Sequence, residues 1–497
     1  MKNTLLTSLV LSLSVFTGCA NSYTSQGTHE RISIKKIASY ESKIKGASEI
    51  VAYDIKQQRV FVTNGKKNRV DVLKLTFKDN KSSLNKIASL DLNPYGTGVN
   101  SLSYKNGLLA VAVEKTSSFD SSKHLRGSVV IFNARLQHQK TVRAGYLPDM
   151  VTFNEDASLI IVANEAEPNK DYSYDPKGSI GIIDINNNYE YTDLNFFNID
   201  IPKDVVLKKN TQAGLDLEPE YITVSKNKAY VSLQENNALA IVNLDSKTIE
   251  KIVAFGFKDH SLEENALDIE EEGKILIKAY KNLYGMYQPD SIASYIVNNK
   301  TYIVSANEGD GREYGKYTNE TKISKLNLTD DLKSIYKNEN DLKINNEMGE
   351  ENNTYTKLYT FGARSFSIWD EKGSLVYDSK NELARLTQKF EKDLFNQSKG
   401  KMDKRSGNKG VEPEALALGK INNRYYAFIG LERQNAIVVY DITNPRNAKF
   451  VQYLNTKNAD LAPEGMTFVA AKNSPSKNAL LIVGFENSGS TSVFEIK

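Results

Sequence analysis

The chain has 497 residues, 40% of them hydrophobic and 25% charged, with a formal net charge of +3. That make-up excludes a disordered chain and a bundle of membrane spans, and the charge is too small for a nucleic-acid footprint. One cysteine, Cys19, excludes an internal disulfide, and four histidines without metal-motif spacing argue against a His- or Cys-rich zinc site.

The N-terminus carries Lys2 and then an apolar run over residues 5–16, too short to span a bilayer and shaped like a secretory signal. It ends in Phe16-Thr17-Gly18-Cys19, which resembles a bacterial lipobox with phenylalanine where leucine is usual. Residues 1–18 are therefore expected to be a lipoprotein signal peptide, with Cys19 as the lipidated first residue of the mature chain. Residues 19–31 are polar and read as a tether. This predicts membrane attachment through a lipid on Cys19 and a place in the cell envelope, at the outer membrane.

From residue 32 onward one signal recurs. Glu412-Pro413-Glu414 precedes an apolar run, and Glu218-Pro219-Glu220 is a near-copy. Weaker copies are Leu147-Pro148-Asp149, Gln288-Pro289-Asp290 and Ala462-Pro463-Glu464; Ser48-Glu49 and Val99-Asn100 lack the proline. The basic spacing of about fifty residues is that of a propeller blade. Each opening is followed by a strand, a polar turn, a very apolar second strand, a third strand ending in a polar residue, and usually a more polar fourth.

The last unit lacks a fourth strand before the chain stops at Lys497, yet Lys36-Ile37-Ala38-Ser39-Tyr40 near the start almost repeats Lys86-Ile87-Ala88-Ser89-Leu90. The expected fold is all-β: a seven-bladed β-propeller over residues 32–497, its ring closed by this N-terminal strand. Longer gaps mark insertions at residues 256–286, 311–359 and 380–410, expected to be small and helical. Leu383, Leu386, Phe390 and Leu394 have helical spacing in the last. Antiparallel strands put all three insertions on the same face as the openings, which marks it as the working face.

Two sets of acids converge there. The opening set is Glu49, Asp149, Glu220, Asp290, Glu414 and Glu464; the set ending the second strands is Glu114, Glu165, Glu235, Glu308, Glu432 and Glu486. Innermost strands line a propeller's channel, so the opening acids should ring its mouth. Asp149, Glu220, Asp290, Glu414 and Glu464 are the candidate ligands of a hard cation, calcium or another divalent ion, which oxygen donors suit. The alternative is that repeated carboxylates lock one blade to the next. Candidate catalytic groups are Asp259 and His260, for acid–base work, and Arg312, Arg364 and Arg405, for an anion. No nucleophile elbow, phosphate loop or dinucleotide fingerprint is present in the sequence.

Several of these segments resemble the choice-of-anchor I proteins, bacterial surface proteins related to mesenchyme-specific cell surface glycoproteins. They include Ala163-Asn164-Glu165-Ala166-Glu167-Pro168, Gly256-Phe257-Lys258-Asp259-His260-Ser261, Ala306-Asn307-Glu308-Gly309-Asp310 and Gly362-Ala363-Arg364-Ser365-Phe366-Ser367-Ile368-Trp369-Asp370. The resemblance implies a seven-bladed propeller displayed outside the cytoplasm by an anchor. Some relatives carry an alkaline phosphatase label, and the Pro-Glu openings are similar to those of calcium-dependent phytase-like propellers. The expected function is ligand or partner binding on the decorated face by a monomer, the ligand being a small molecule or a protein. A metal-dependent phosphoesterase and a purely structural or adhesive module are the alternatives.

Overall fold

The computed structural model describes residues 32–79, 81–337 and 341–497. The expected signal peptide and tether, with Cys19, lie outside the described residues. Residues 32–497 form one compact unit. Among the described residues no helix is long and apolar enough to cross a membrane.

The short β-branched and aromatic runs fold as strands, and the described residues contain seven four-stranded antiparallel sheets. Six are simple up-and-down meanders; the third, for example, runs through Pro148–Phe153, Leu159–Asn164, Ser179–Asp184 and Glu190–Leu194. The first strand of each sheet packs beside the first strands of its two neighbours, and Pro463–Val469 returns to Val51–Asp54. This is the arrangement of a β-propeller, with first strands innermost. The second strands are wholly buried in several sheets, as in Leu159–Asn164 and Ala479–Phe485. Their side chains fill the layers between adjacent sheets: Val111 and Phe132 pack with Phe61 and Val72.

The sheet made by Pro463–Val469, Ala479–Phe485 and Ser490–Ile496 takes its outer strand from Ile34–Glu41. That strand pairs antiparallel with Ser490–Ile496, and backbone bonds between Ser33 and Lys497 extend the ladder. Lys36 also reaches Asp460 at 3.1 Å. The repeated Lys-Ile-Ala-Ser sequence thus occupies the same outer position in the first and last sheets.

The insertions are less helical than expected. Phe257–Asp259, Leu283–Met286 and Leu358–Thr360 form a three-stranded sheet drawn from two insertions, with its last pair parallel. Short hairpins, the helix Asp330–Ile335 and single 3-10 turns complete it. Leu267, Tyr280 and Leu283 share one apolar cluster with Ile323, Leu332, Tyr336 and Leu358. Neither segment is long enough to bury its apolar face alone, so the two pool them. The helix expected in the last insertion is present over Glu382–Phe390, with Leu383 and Leu386 buried. It stops at Phe390, and Leu394 falls in a separate 3-10 turn, Lys392–Leu394. Phe390 stacks on Phe450 and Tyr453 of the neighbouring sheet.

Candidate functional site

The X-Pro-acid opening is a built corner. Leu147, Gln288, Glu412 and Ala462, each just before the proline, adopt left-handed φ between 43° and 60°. That conformation is uncommon for non-glycine residues and disfavoured for most side chains. The next acid then falls in a register break. Asp149 lies in the break between Pro148 and Met150, Glu414 in that between Pro413 and Leu416, and Glu464 in that between Pro463 and Met466. A bulge frees the residue from the ladder and re-aims its side chain.

Asn100 occupies the same bulge, between Val99 and Ser101, and its amide donates to the Pro148 carbonyl at 3.1 Å. There the opening residue does lock one sheet to the next. The carboxylates do not follow it: among the described residues, no hydrogen bond reaches the side chains of Asp149, Asp290, Glu414 or Glu464. Glu220 accepts from the Gln234 amide, at 2.8 and 3.2 Å when that nitrogen faces it.

The structure brings the two acid sets together. Oxygens of Glu165, Glu220 and Glu235 lie within 4.8 Å of one another; so do those of Asp290, Glu308 and Glu414, and those of Glu308, Glu412 and Glu432. Burial, and then neighbouring carboxylates, raise the affinity of these groups for protons. Glu165, Glu220, Asp290, Glu414 and Glu464 are all held well above the usual carboxylate range. Asp149 and Glu49 are pushed up to about 7 by burial and by nearby acids. Glu235 and Glu308 also rise to about 7, mainly from burial, against the pull of Arg312 and Lys409 respectively. Glu432 rises to about 8, mainly from burial, despite Arg433. Desolvation penalises a buried charge, and like charges compound it.

Part of this negative charge is compensated from within. Lys409 sits 2.7 Å from Asp310 and 3.5 Å from Glu308. Arg405 and Arg433 clamp the two oxygens of Glu412 at 2.5 and 2.7 Å, and Arg433 also reaches Glu432 at 2.9 Å. Both lysine and Arg405 come from the insertion at residues 380–410, and Lys409 carries no sequence signal beyond its charge.

Each candidate catalytic group is engaged by other groups of the protein. Arg312 is enclosed and paired with Asp216 and Glu218, each at 3.1 Å. Arg364 is buried and donates to the carbonyls of Asp268, Ser406 and Asn408, tying loops of two insertions together. Arg405 is held by Glu412. His260 is 1% exposed; its Nδ1 faces the Asn265 carbonyl at 2.6 Å. Burial and the nearby Lys258 push it down to about 3, so it is a neutral ring at physiological pH. Asp259 accepts from the Ser261 amide and shapes the turn. His260 and Arg364 line one small enclosed cavity in the insertions, together with Lys258 and Asp268.

A model of the choice-of-anchor I domain matches residues 49–445, most of the propeller. The chain belongs to the choice-of-anchor I family. This choice-of-anchor I chain is also 25% identical over 169 residues to Gigasin-3a of Magallana gigas, a stretch covering 29% of the chain and 59% of Gigasin-3a. Among solved structures it is similar to the Kuenenia stuttgartiensis hydrazine synthase, at 11% identity and TM-score 0.46 over 91% of this chain and 96% of that one. It is also similar to the WD40 domain of Toxoplasma gondii coronin, at 9% identity and TM-score 0.45 over 94% and 86%.

Proposed function

We propose that this chain is a seven-bladed, envelope-displayed propeller that binds a ligand or partner on the face bearing the insertions, with a divalent cation at the channel mouth. The seven four-stranded sheets in ring order and the outer strand supplied by Ile34–Glu41 support the blade count and the closure. Membership of the choice-of-anchor I family supports display at the surface or envelope. The lipobox-like Phe16-Thr17-Gly18-Cys19 supports a lipid as the anchor. Replacing Cys19 with Ser should move the protein from membranes to the soluble fraction; retention on membranes at high salt would rule the lipid out.

The observation that carries the cation is the convergence of opening and second-strand acids, with no hydrogen-bond donor to Asp149, Asp290, Glu414 or Glu464 among the described residues. Carboxylates serving as inter-blade locks would accept such bonds, as Asn100 makes one. Oxygen-only donors suit calcium or magnesium. The phosphoesterase alternative has weaker support, because Arg312, Arg364 and Arg405 are already paired or bonded within the protein. Metal analysis of the purified chain, with a phosphatase assay run with and without calcium, tests both readings. Bound divalent metal without phosphatase activity is the expected result. Metal-dependent phosphatase activity would favour the enzyme instead, and a chain that purifies and stays free of metal would remove the cation.

A further inference from the structure

The acids at the mouth differ in one respect that decides where a cation can go. Around Asp290, Glu308 and Glu414 the chain provides its own ammonium group, Lys409, on Glu308 and Asp310. Around Glu308, Glu412 and Glu432 it provides two guanidinium groups, Arg405 and Arg433. Around Glu165, Glu220 and Glu235 no lysine or arginine forms an ion pair among the described residues. The guanidinium that acts on Glu235 is Arg312, and it is already committed to Asp216 and Glu218. The Gln234 amide helps at Glu220.

A second, independent observation points to a ligand at this corner. Glu235 is 5% exposed, and its Oε2 is enclosed with no hydrogen-bond partner. A buried, unpartnered carboxylate oxygen is costly unless a cation or a proton meets it. Glu414 Oε2 is likewise unpartnered, but its corner already holds the Lys409 charge.

Building on the proposed cation at the mouth, we infer that Glu165, Glu220 and Glu235 bind a single hard divalent cation, and that Lys409 is the built-in counter-charge that keeps a second ion out of the Asp290–Glu308–Glu414 corner. Three oxygens within 4.8 Å of one another can share one ion with bonds of about 2.3–2.6 Å. Calcium takes six to eight oxygens, so three monodentate carboxylates leave positions for water or for an oxygen of the bound ligand.

Calcium titration of the purified full chain by calorimetry tests this. One calcium per chain is expected. Glu220→Gln and Glu235→Gln should each weaken binding by about tenfold or more, since even groups that only support a ligand commonly matter that much. Both remove repulsion, so neither should prevent folding. Lys409→Met, or Lys409→Gln if the methionine variant does not fold, should raise the stoichiometry to two. Calcium binding that survives both glutamate substitutions but is lost in Glu414→Gln would overturn this assignment while sparing the broader cation reading. An unchanged stoichiometry in both lysine variants would overturn the counter-charge role. Absence of any calcium or magnesium binding would overturn both the assignment and the broader reading.

Discussion

Arg312 ties a loop of sheet five to Asp216 and Glu218 in the approach to sheet four, where Tyr314 also donates to Glu218 at 3.1 Å. Removing one member of a buried pair strands the other charges. Arg312→Met should therefore cost about 3–5 kcal/mol in chemical denaturation; a loss within about 0.5 kcal/mol, the range of ordinary surface substitutions, would show that the pair is not structural. His124 is the opposite case. It lies 3.4 Å from Glu114 and 3.6 Å from Glu167, and the attraction of those two acids overcomes the desolvation of its largely buried ring to raise it to about 9. A folded-state value above the unfolded 6.5 gives stability that is fully present below pH 6.5 and lost as pH rises through 9. Denaturation between pH 6.5 and 9 should show that loss, and His124→Gln should flatten it. None of these roles was legible beforehand, because pattern reports residue type and spacing, whereas burial and counter-charge come from segments far away in sequence.

Strands and openings were legible because they obey local rules. Alternating or continuous apolar runs between polar turns mark the strands, and Pro followed by an acid marks the corner where a strand begins. The near-copy of Lys36-Ile37-Ala38-Ser39-Tyr40 at residues 86–90 pointed to the N-terminal strand, which lies on Ser490–Ile496. The insertions were not legible in the same way. Leu383 and Leu386 did specify a helix, but Glu391 leaves the helical conformation and ends it before Leu394. The sheet formed by Phe257–Asp259, Leu283–Met286 and Leu358–Thr360 joins strands from distant parts of the chain, which no local period reports. The closing strand gives a test at this scale. A chain beginning at residue 42 leaves Ser490–Ile496 as a bare edge and uncovers the cluster in which Ala38, Ile37 and Tyr40 pack with Leu480 and Val493. It should melt several degrees lower than a chain beginning at residue 32. Equal melting temperatures would mean that the strand contributes nothing to closure.

At the scale of the whole molecule, the propeller concentrates what each repeat supplies singly. One acid at the head of a strand is unremarkable; several, placed in bulges at the same position of successive sheets, make a field that no single motif shows. The meeting of Glu220 with Glu165 and Glu235, and of Asp290 and Glu414 with Glu308, was legible from the repeat positions of the two acid sets, whereas the neutralisation by Lys409, Arg405 and Arg433 was not, because it depends on how residues 380–410 fold. The raised carboxylates also fix a pH dependence. A folded-state value near 7 or 8 against an unfolded value near 4.5 means that the cation-free protein loses stability as pH rises through that interval. A bound cation favours the ionised form and should remove much of that loss. The most direct measurement is thermal unfolding of the purified chain at pH 8, in chelator and in calcium, for the wild type and for Glu220→Gln combined with Glu414→Gln. Calcium at about 100 times its dissociation constant should add about 2.7 kcal/mol to the wild type, a rise of a few degrees for a domain of this size. The double substitution should melt higher than the wild type in chelator and no longer respond to calcium. A wild-type curve unchanged by calcium, magnesium and chelator, with a double variant that melts lower, would contradict a cation at the ring and make its carboxylates structural locks.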